Sequence, residues 1–319
     1  MIQFEKVSYQ LSEPIITARG KISNRVGYFI RIRDHDNSGE GEILPLPGWS
    51  SVPYQDLEKE LENISRGINF VPSDEVRSGI NMANWNLKAL QIGAPLWSVL
   101  GGASNSIKVN GLIGGIAVKE FPESLERLQR DGYSVIKVKS GFSDDLEKIK
   151  LLSEVLSSTQ KVRLDPNGMW SLGEASERLE YATKTLGERL EYVEDPVSTL
   201  DELFHLRKMV SVPIAADDLI RKKGALEYGL QNKLMDYVVV KPSLIGGIDD
   251  TLKIAKETQS NGIQVVISST YDGPVGLRTW CHLAAYVSPD LAHGLGTAVF
   301  IDDKGMGPLV PTDGKISLT

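Results

Sequence analysis

Short runs of apolar, mostly β-branched residues recur through most of the chain, and this rhythm limits the possible folds more than any other feature. The runs cover residues 107–112, 134–139, 161–165, 190–194, 212–217, 237–241 and 264–268, with a possible further run at 291–295. They begin about every 25 residues, which is the length of a repeat made of a strand, a turn, a helix and a return. The sequence therefore predicts parallel β/α winding, as a closed (β/α)-barrel or as an open doubly wound sheet.

The first hundred residues follow a different pattern. Residues 2–11 and 25–33 have the composition of strands, and the turn-forming residues 34–39 follow the second of them. Helices are predicted at 54–68 and 74–90, and Ser73 provides an N-cap for the second helix. These elements predict a separate α+β module, which ends before the change of rhythm at the Gly101-Gly102 turn.

Composition argues against several classes of function. The formal net charge of -7 gives no reason to expect binding to nucleic acid or to anionic membranes. Cys281 is the only cysteine, so an internal disulfide framework is excluded. The first ten residues lack the features of a signal peptide, and no window approaches the ~18 apolar residues of a membrane-spanning helix. We therefore expect a cytoplasmic protein without nucleic-acid or membrane partners.

Ionisable residues lie at the carboxyl ends of five consecutive runs, and they decide between the two folds. They are Lys137 and Lys139, Arg163 and Asp165, Glu194, Asp217, and Lys241. Charges on buried strands are costly unless they are paired or bind a metal. In a barrel all these ends converge on one mouth, where barrel enzymes carry their chemistry, whereas an open sheet would spread them along a line. The sequence therefore favours the barrel.

The acidic residues among these strand ends suggest a metal site. Asp165, Glu194 and Asp217 come from three successive strands, and carboxylate oxygens supplied in this way suit Mg²⁺, with Mn²⁺ as a possible substitute. The alternative is that each acid only caps the following helix or pairs with a lysine. Lys137 and Lys139 share one face of their strand, and a desolvated lysine beside another cation can have a lowered pKa and act as a base.

The ordered motifs resemble the enolase superfamily, specifically its muconate-lactonising branch. The motifs are Lys-Val-Lys at 137–139, Arg-Leu-Asp-Pro-Asn at 163–167, Glu-Asp-Pro at 194–196, Ala-Asp-Asp at 216–218 and Val-Lys-Pro at 240–242. The resemblance implies an α/β fold, an enolase-like modified (β/α)-barrel with an α+β capping domain. It places the capping domain at residues 1–103, the catalytic barrel at 104–299, and a return to the capping domain at 300–319.

Within this branch the chain is most similar to the short o-succinylbenzoate synthases of the enterobacterial type. The supporting segments are residues 41–49, 267–270 and 294–295, together with the chain length. The sequence departs from the family pattern where Glu-Glu-Pro is replaced by Glu-Asp-Pro, and where the familiar Asp-Glu is Asp217-Asp218. The departures concern the neighbours of the expected metal ligands, so they leave the metal ligands themselves unaffected.

The resemblance implies a role for each candidate residue. Lys139 is the expected base, Lys241 the opposing cation, and Lys137 a residue that tunes Lys139; Asp165, Glu194 and Asp217 would bind Mg²⁺. The candidate substrate contacts are Arg163, Asn167, Ser268, Ser269, Thr270 and Gly276, with Arg19 and Gly20 in a mobile loop over the mouth. Such a loop could exclude water from the reaction.

The implied activity is the dehydration of 2-succinyl-6-hydroxy-2,4-cyclohexadiene-1-carboxylate to 2-succinylbenzoate in menaquinone biosynthesis. The nearest rival is a dipeptide epimerase or N-acylamino acid racemase of the same branch, because the same two lysines would serve that reaction. A cycloisomerase comes third, and a non-catalytic barrel that binds a carboxylate is an alternative from another class. In each case the expected partner is a small-molecule carboxylate, and the chain could be a monomer or a homo-oligomer.

Overall fold

The computed structural model of the protein describes residues 2–17 and 20–318. Its N-terminal part begins with an antiparallel sheet that is followed by helices, as the sequence predicts. The strands are β1 (Ile2–Thr17), β2 (Gly20–Asp34) and β3 (Asn37–Ile43), and the helices are α1 (Tyr54–Ser65), α2 (Asp74–Ile92) and α3 (Leu96–Val99). The first two strands are longer than predicted, because β1 and β2 pair along most of their length and satisfy each other's backbone groups.

Helix α2 packs directly on the sheet. Its N-cap is Ser73, whose side chain accepts a hydrogen bond from the Val76 amide, as predicted. A side chain at Gly41 of β3 would clash with the Gly79 carbonyl of α2, so glycine allows the helix and strand to approach this closely. The resulting α+β module lies over one end of the second part of the chain, which α2 and β3 both contact.

The second part of the chain is a parallel barrel. Its strands are β4 (Ser106–Val109), β5 (Gly111–Ile113), β6 (Val135–Lys139), β7 (Lys161–Asp165), β8 (Leu190–Glu194), β9 (Ile214–Ala216), β10 (Tyr237–Val240), β11 (Gln264–Ile267) and β12 (Ala292–His293). Strands β5 to β11 form one sheet in chain order. The sheet closes because β12 pairs with β4, while a bridge joins Ser268 to Gly294. The predicted choice of a barrel over an open sheet is confirmed.

Helices connect the barrel strands and cover them. They are α4 (Phe121–Arg130), α5 (Asp145–Val155), α6 (Leu172–Leu186), α7 (Leu200–Leu206), α8 (Ala225–Gln231), α9 (Ile248–Ser260) and α10 (Pro274–Val287). The best-defined start is that of α6, where Ser171 and Glu174 form a reciprocal capping box. Together the barrel strands and these helices bury one large apolar cluster. The rigid barrel core therefore fixes where the strand ends lie.

The C-terminal segment divides between the two domains. Strand β13 (Ile301–Asp302) pairs with β1 of the capping sheet, as the predicted return of residues 300–319 requires. Strand β14 (Lys315–Ser317) instead pairs with β4 of the barrel. Residues 315–317 thus lie on the barrel side, where β14 satisfies the backbone groups along one edge of β4. None of the helices in the described residues combines the length and the apolar character of a membrane span.

Candidate active site

Three buried carboxylates lie at the mouth of the barrel. Asp165 and Glu194 are the last residues of β7 and β8, and Asp217 directly follows β9. Only 0%, 1% and 3% of their respective surfaces are exposed. Because the carboxyl ends of parallel barrel strands meet at one rim, the three side chains lie at the same mouth.

Three lysine side chains interact with these carboxylates. The Nζ atom of Lys137 lies 2.7 Å from Glu194 Oε1 and 2.8 Å from Asp165 Oδ2. Lys139 Nζ lies 2.6 Å from Asp165 Oδ2 and donates to Asn167 Oδ1 at 2.5 Å. Lys241 donates a short hydrogen bond to Asp217. We call these three lysines and the three acids, Asp165, Glu194 and Asp217, the mouth cluster.

The positions of the two outer lysines follow from the strand order. Lys139 ends β6 and Lys241 follows β10, and three strands, β7, β8 and β9, lie between these two. Counting β4 and β5 as the first of eight positions, Lys139 is at the second and Lys241 at the sixth, which are opposite each other. The two ammonium groups therefore approach the mouth from opposite sides, with the carboxylates on the strands between them.

The mutual interactions set the protonation of the mouth cluster. Burial by itself lowers the pKa of Lys137, but attraction to Asp165 and Glu194 outweighs burial and raises it well above the ordinary value. Carboxylates, and not another cation, are therefore the nearest charges to Lys137. Burial would likewise lower the pKa of Lys241, but Asp217 and Asp218 raise it.

The carboxyl groups respond unequally. Burial raises the pKa of Asp165, yet Lys137 and Lys139 exceed this effect and leave the pKa below its usual range. Burial, with repulsion from Asp165, raises the pKa of Glu194 to about 7. The pKa of Asp165 is therefore below its ordinary value and that of Glu194 above it, because Asp165 contacts two ammonium groups and Glu194 only one.

The donor set of the mouth cluster suits a hard divalent cation. No group of three or more acidic, imidazole or thiol side chains within residues 2–17 and 20–318 has the spacing of a ready metal site. Each of the three carboxylates instead contacts an ammonium group: Asp165 and Glu194 contact that of Lys137, and Asp217 contacts that of Lys241. Three carboxylate oxygens from separate strands, all buried, are the ligands that Mg²⁺ prefers. The residues therefore fit such a cation if the ammonium groups move aside.

Asp195 supports the third carboxylate, a role that the sequence does not predict. Its two carboxylate oxygens accept hydrogen bonds from the backbone amides of Asp217, at 3.0 Å, and Asp218, at 2.8 Å. Asp195 has a left-handed φ of 42° and is buried. The aspartate of the Glu-Asp-Pro motif thus fixes the backbone at the end of β9. The only sequence signal was the departure from the Glu-Glu-Pro pattern.

Asp218 points toward the capping domain. Its Oδ2 atom accepts a 2.8 Å hydrogen bond from Trp49 Nε1, and Arg221 also contacts it. The distance from Asp218 Oδ1 to Lys241 Nζ is 3.8 Å. Asp217 and Asp218 are therefore distinct: the first belongs to the mouth cluster, and the second joins the barrel to the segment that contains Trp49.

Arg163 lies inside the barrel below the mouth. It is fully buried, and its guanidinium donates to Glu191 Oε2 at 2.5 Å, to Asn110 Oδ1 at 3.1 Å and to the Ala292 carbonyl at 2.8 Å. It also stacks on the Tyr192 ring. The expected substrate contact is not supported, because side chains two residues apart on one strand share a face but lie at different depths. Asn167, by contrast, lies at the rim beside Lys139.

The polar turn after β11 has mainly internal contacts. The hydroxyl of Ser269 donates to Asp272 at 2.8 Å, and the Thr270 hydroxyl contacts Asp272 and Ser243. The predicted contact of Ser269 and Thr270 with a substrate is therefore not supported by their hydroxyl partners. Ser268, which is half-buried, lies at the bridge to Gly294.

Two further residues were predicted in a mobile loop over the mouth. Gly20 begins β2 with a φ of 130°, and Arg19 lies outside the described residues.

A second group of buried polar residues joins the capping domain to this turn. Glu42 of β3 accepts a hydrogen bond from the Gly273 amide at 2.5 Å, and its Oε2 atom lies 3.4 Å from the Tyr9 hydroxyl. Gly276 of α10 lies beside Glu42, since a Cβ atom added at Gly276 would be 3.3 Å from Glu42 Oε1, and the predicted substrate contact therefore faces Glu42 instead. We call Tyr9, Arg25, Glu42 and Asp272 the seam cluster.

Arg25 binds residues of both the capping domain and the barrel. It is 1% exposed and donates to the carbonyls of Pro45 at 2.5 Å, Leu44 at 2.6 Å and Tyr271 at 3.2 Å. The segment 41–49 therefore has a structural role, because it connects the capping domain to the barrel. It supplies Glu42 to the start of α10, carbonyl acceptors to Arg25, and Trp49 to Asp218.

Comparison with solved structures supports the same fold. The muconate lactonizing enzyme of Pseudomonas fluorescens, complexed with muconolactone, matches with a TM-score of 0.86 at 17% identity over 100% of this chain and 93% of that one. A dipeptide epimerase of Methylococcus capsulatus, complexed with Mg and the dipeptide L-Arg-D-Lys, matches with a TM-score of 0.86 at 21% identity over 100% and 96% of the two chains. At these identities the likeness concerns the fold.

Sequence comparison supplies the family. Residues 120–319 match the model of the enolase C-terminal domain-like family. The o-succinylbenzoate synthase of Mycolicibacterium smegmatis is 34% identical over 218 residues, which are 66% of this chain and 65% of the relative. The matched region thus spans just under two thirds of that relative's length. The chain belongs to the enolase C-terminal domain-like family of the enolase superfamily and is similar to its o-succinylbenzoate synthases.

Proposed function

We propose that the chain is an o-succinylbenzoate synthase, which dehydrates 2-succinyl-6-hydroxy-2,4-cyclohexadiene-1-carboxylate to 2-succinylbenzoate in menaquinone biosynthesis. The observation that carries the proposal is the arrangement of Lys139 and Lys241 on opposite sides of a mouth whose intervening strands carry three buried carboxylates. A C–H bond next to a carboxylate is a very weak acid, because its loss creates a second negative charge. The mouth cluster supplies a base and positive charge at the place where that charge would form.

Lys139 is the residue that removes the proton. Its side chain is 32% exposed, whereas those of Lys137 and Lys241 are each 14% exposed, so Lys139 is the most accessible amine of the mouth cluster. Once the Lys139 ammonium group has lost a proton, its amine takes the proton from the carbon beside the carboxylate, and the electron pair moves into the carboxylate. The C–O bond at the neighbouring ring carbon then breaks, the departing hydroxide takes the proton from Lys139, and water leaves an aromatic ring.

The other residues of the mouth cluster stabilise the negative charge that forms on the substrate or would bind the metal ion. Lys241 stabilises the negative charge from the opposite side, and Lys137 holds Asp165 and Glu194 in place. Asp165, Glu194 and Asp217 would hold Mg²⁺, or Mn²⁺ in its place. When bound, the metal ion would supply Lewis-acid stabilisation of the substrate's carboxylate. Asn167, which accepts a hydrogen bond from Lys139, orients the base.

The same two lysines would also serve a dipeptide epimerase or N-acylamino acid racemase, where each takes or returns a proton on its own side. The synthase is preferred because the similar sequences at 32–34% identity are o-succinylbenzoate synthases. The test is to incubate the protein with Mg²⁺ and the hydroxycyclohexadiene and to follow formation of the aromatic product. N-succinylamino acids are incubated in parallel. Racemisation that is faster than aromatisation would establish the rival function instead.

A further inference from the structure

A buried carboxylate that the proposed reaction does not use lies next to the side of the mouth that carries Lys139. Asp145 is in the first turn of α5, and only 2% of its surface is exposed. Burying a carboxylate to this extent is costly unless several hydrogen-bond donors compensate it. The donors that Asp145 has gathered therefore indicate what this residue holds in place.

The donors to Asp145 come from two loops of the mouth. Its Oδ2 atom accepts hydrogen bonds from the backbone amides of Gly141, at 2.9 Å, and Phe142, at 3.2 Å, in the loop after β6. The same atom accepts a 2.8 Å hydrogen bond from the indole Nε1 of Trp170, in the loop after β7. Arg178 supplies the opposite charge, with its Nη1 atom 3.8 Å from Oδ2. One carboxylate oxygen thus joins the two loops.

The first of these loops begins directly after the proposed base. Lys139 is the last residue of β6, and Gly141 follows it by two positions. Between them, the amide of Ser140 donates to the Asp165 carbonyl at 2.9 Å, which continues the pairing of β6 with β7. The backbone that leaves Lys139 is therefore held first by β7 and then by Asp145.

The second loop carries the hydrogen-bond partner of the base. Asn167 accepts from Lys139 at 2.5 Å, and Trp170 follows Asn167 by three positions. Trp170 is only 2% exposed, and its ring lies 5.5 Å from the Arg178 guanidinium, so its indole is firmly packed where it donates to Asp145. Asp145 therefore holds, through Trp170, the loop that contains Asn167.

We propose that Asp145 is a positioning residue for the base: by joining the loops after β6 and β7, it keeps the Lys139 amine in the geometry in which it removes the proton. This inference rests on the proposed function, in which Lys139 is the base. A displacement of about 1 Å in a reacting group costs up to about a hundredfold in rate. A residue outside the mouth cluster that holds two loops of the mouth can therefore control kcat.

The first comparison removes the shared acceptor. Asp145→Ala deletes the carboxylate, whereas Asp145→Asn keeps an oxygen that can accept the same hydrogen bonds. Glu147→Ala is the matched control, because Glu147 is also an acidic residue in the first turn of α5 but is exposed. Turnover of the diene is measured with Mg²⁺. The kcat is expressed per binding site for 2-succinylbenzoate, counted by calorimetry, so that unfolded protein does not affect it.

We expect Asp145→Ala to lower kcat about tenfold, because the base is displaced. The KM for the diene and the affinity for Mg²⁺ should change less than about twofold, since the carboxylates of the mouth cluster are retained. Asp145→Asn should recover about half or more of the wild-type kcat, and Glu147→Ala should match the wild type. An unchanged kcat in Asp145→Ala, an equal fall in Glu147→Ala, or an equally large loss of Mg²⁺ affinity would overturn the role of Asp145.

Trp170→Phe decides the question if Asp145→Ala does not fold. It removes the indole donor but keeps an aromatic ring beside Arg178, and kcat should fall about threefold with KM retained. Trp85→Phe is its control, since Trp85 Nε1 of α2 also donates to a carboxylate, that of Asp249 on α9, at 3.0 Å. A wild-type kcat in Trp170→Phe, or an equal loss in both variants, would overturn the proposal while the wild type remains a synthase. A wild type that forms no aromatic product from the diene would overturn the proposed function as well.

Discussion

The mouth cluster and the seam cluster both bury carboxylates, but they satisfy them by different means. At the mouth, Asp165 and Glu194 have flexible ammonium groups as partners. At the seam, Glu42 and Asp272 accept hydrogen bonds from backbone amides and a serine hydroxyl that belong to the turn and helix they stabilise. Lysine side chains can move when a cation or substrate arrives, whereas backbone amides cannot. The mouth is therefore suited to chemistry and the seam to holding two domains together.

The largest effect should come from removing the base at the mouth. Lys139→Ala should lower kcat for the diene by about 10²–10⁴, because that is what a positioned general base contributes, and should also abolish exchange of the substrate's α-proton with solvent. Lys241→Arg keeps a cation and should retain part of the dehydration, although the bulkier guanidinium reduces it. Steady-state kinetics and deuterium exchange measured by NMR check both variants. Normal turnover of the diene by both would mean that Lys139 is not the base.

A smaller effect should separate two adjacent aspartates. Asp217→Asn removes a carboxylate of the mouth cluster and should lower kcat/KM by at least about a hundredfold, because metal binding contributes several kcal/mol to charge stabilisation. Asp218→Asn alters a hydrogen bond to Trp49 and should cost less than about tenfold, since one hydrogen bond contributes about 1 kcal/mol. Steady-state kinetics and the Mg²⁺ affinity of each variant show which of the two aspartates binds the metal. The reverse order would show that Asp218 is the ligand.

Substitutions in the seam cluster should have the smallest effect on activity. They should instead change the free energy of unfolding. Burial, with repulsion from Asp272, raises the pKa of Glu42 to about 8 from an ordinary value near 4.5. The native state therefore keeps a proton that the unfolded state has lost. The free energy of unfolding should fall as pH rises from about 4.5 to about 8, at about 1.4 kcal/mol for each pH unit in that interval.

Glu42→Gln should make this pH dependence shallower, because the amide does not ionise. Glu40→Gln is the matched control, since Glu40 is on the same strand with its side chain 44% exposed. Urea unfolding at several pH values measures the free energies. An unchanged slope in Glu42→Gln, or an equal change in Glu40→Gln, would show that Glu42 is not the group that titrates.

The fold and the mouth cluster were predictable because they depend on local patterns. The repeat of apolar runs gave strand positions within one or two residues for β6, β7 and β8, and the charges at the strand ends indicated the closed barrel. Alternation of side chains along a strand indicates a face but not a depth. For this reason Arg163, two residues before Asp165, was expected at the mouth and lies inside the barrel.

The seam was not predictable, because its contacts join residues that are far apart in the chain. Glu42 and Gly273 are separated by 231 positions, and Arg25 and Tyr271 by 246. The polar run 268–270 suggested ligand contacts, but Asp272 folds back on Ser269 and Thr270 and uses their hydroxyls. The left-handed conformation of Tyr271, with a φ of 58°, has no sequence signal of its own, since glycine, asparagine and aspartate are the residues expected there.

The central claim is that the mouth cluster forms a metal-dependent site for removing a proton beside a carboxylate. The most direct measurement is exchange of the substrate's α-proton with deuterium, together with formation of the aromatic product, before EDTA treatment, after it, and after Mg²⁺ is added back. The proposed function predicts that both activities disappear with EDTA and return with Mg²⁺, while the thermal unfolding midpoint shows that the metal-free protein stays folded. Full activity in the metal-free protein would contradict it.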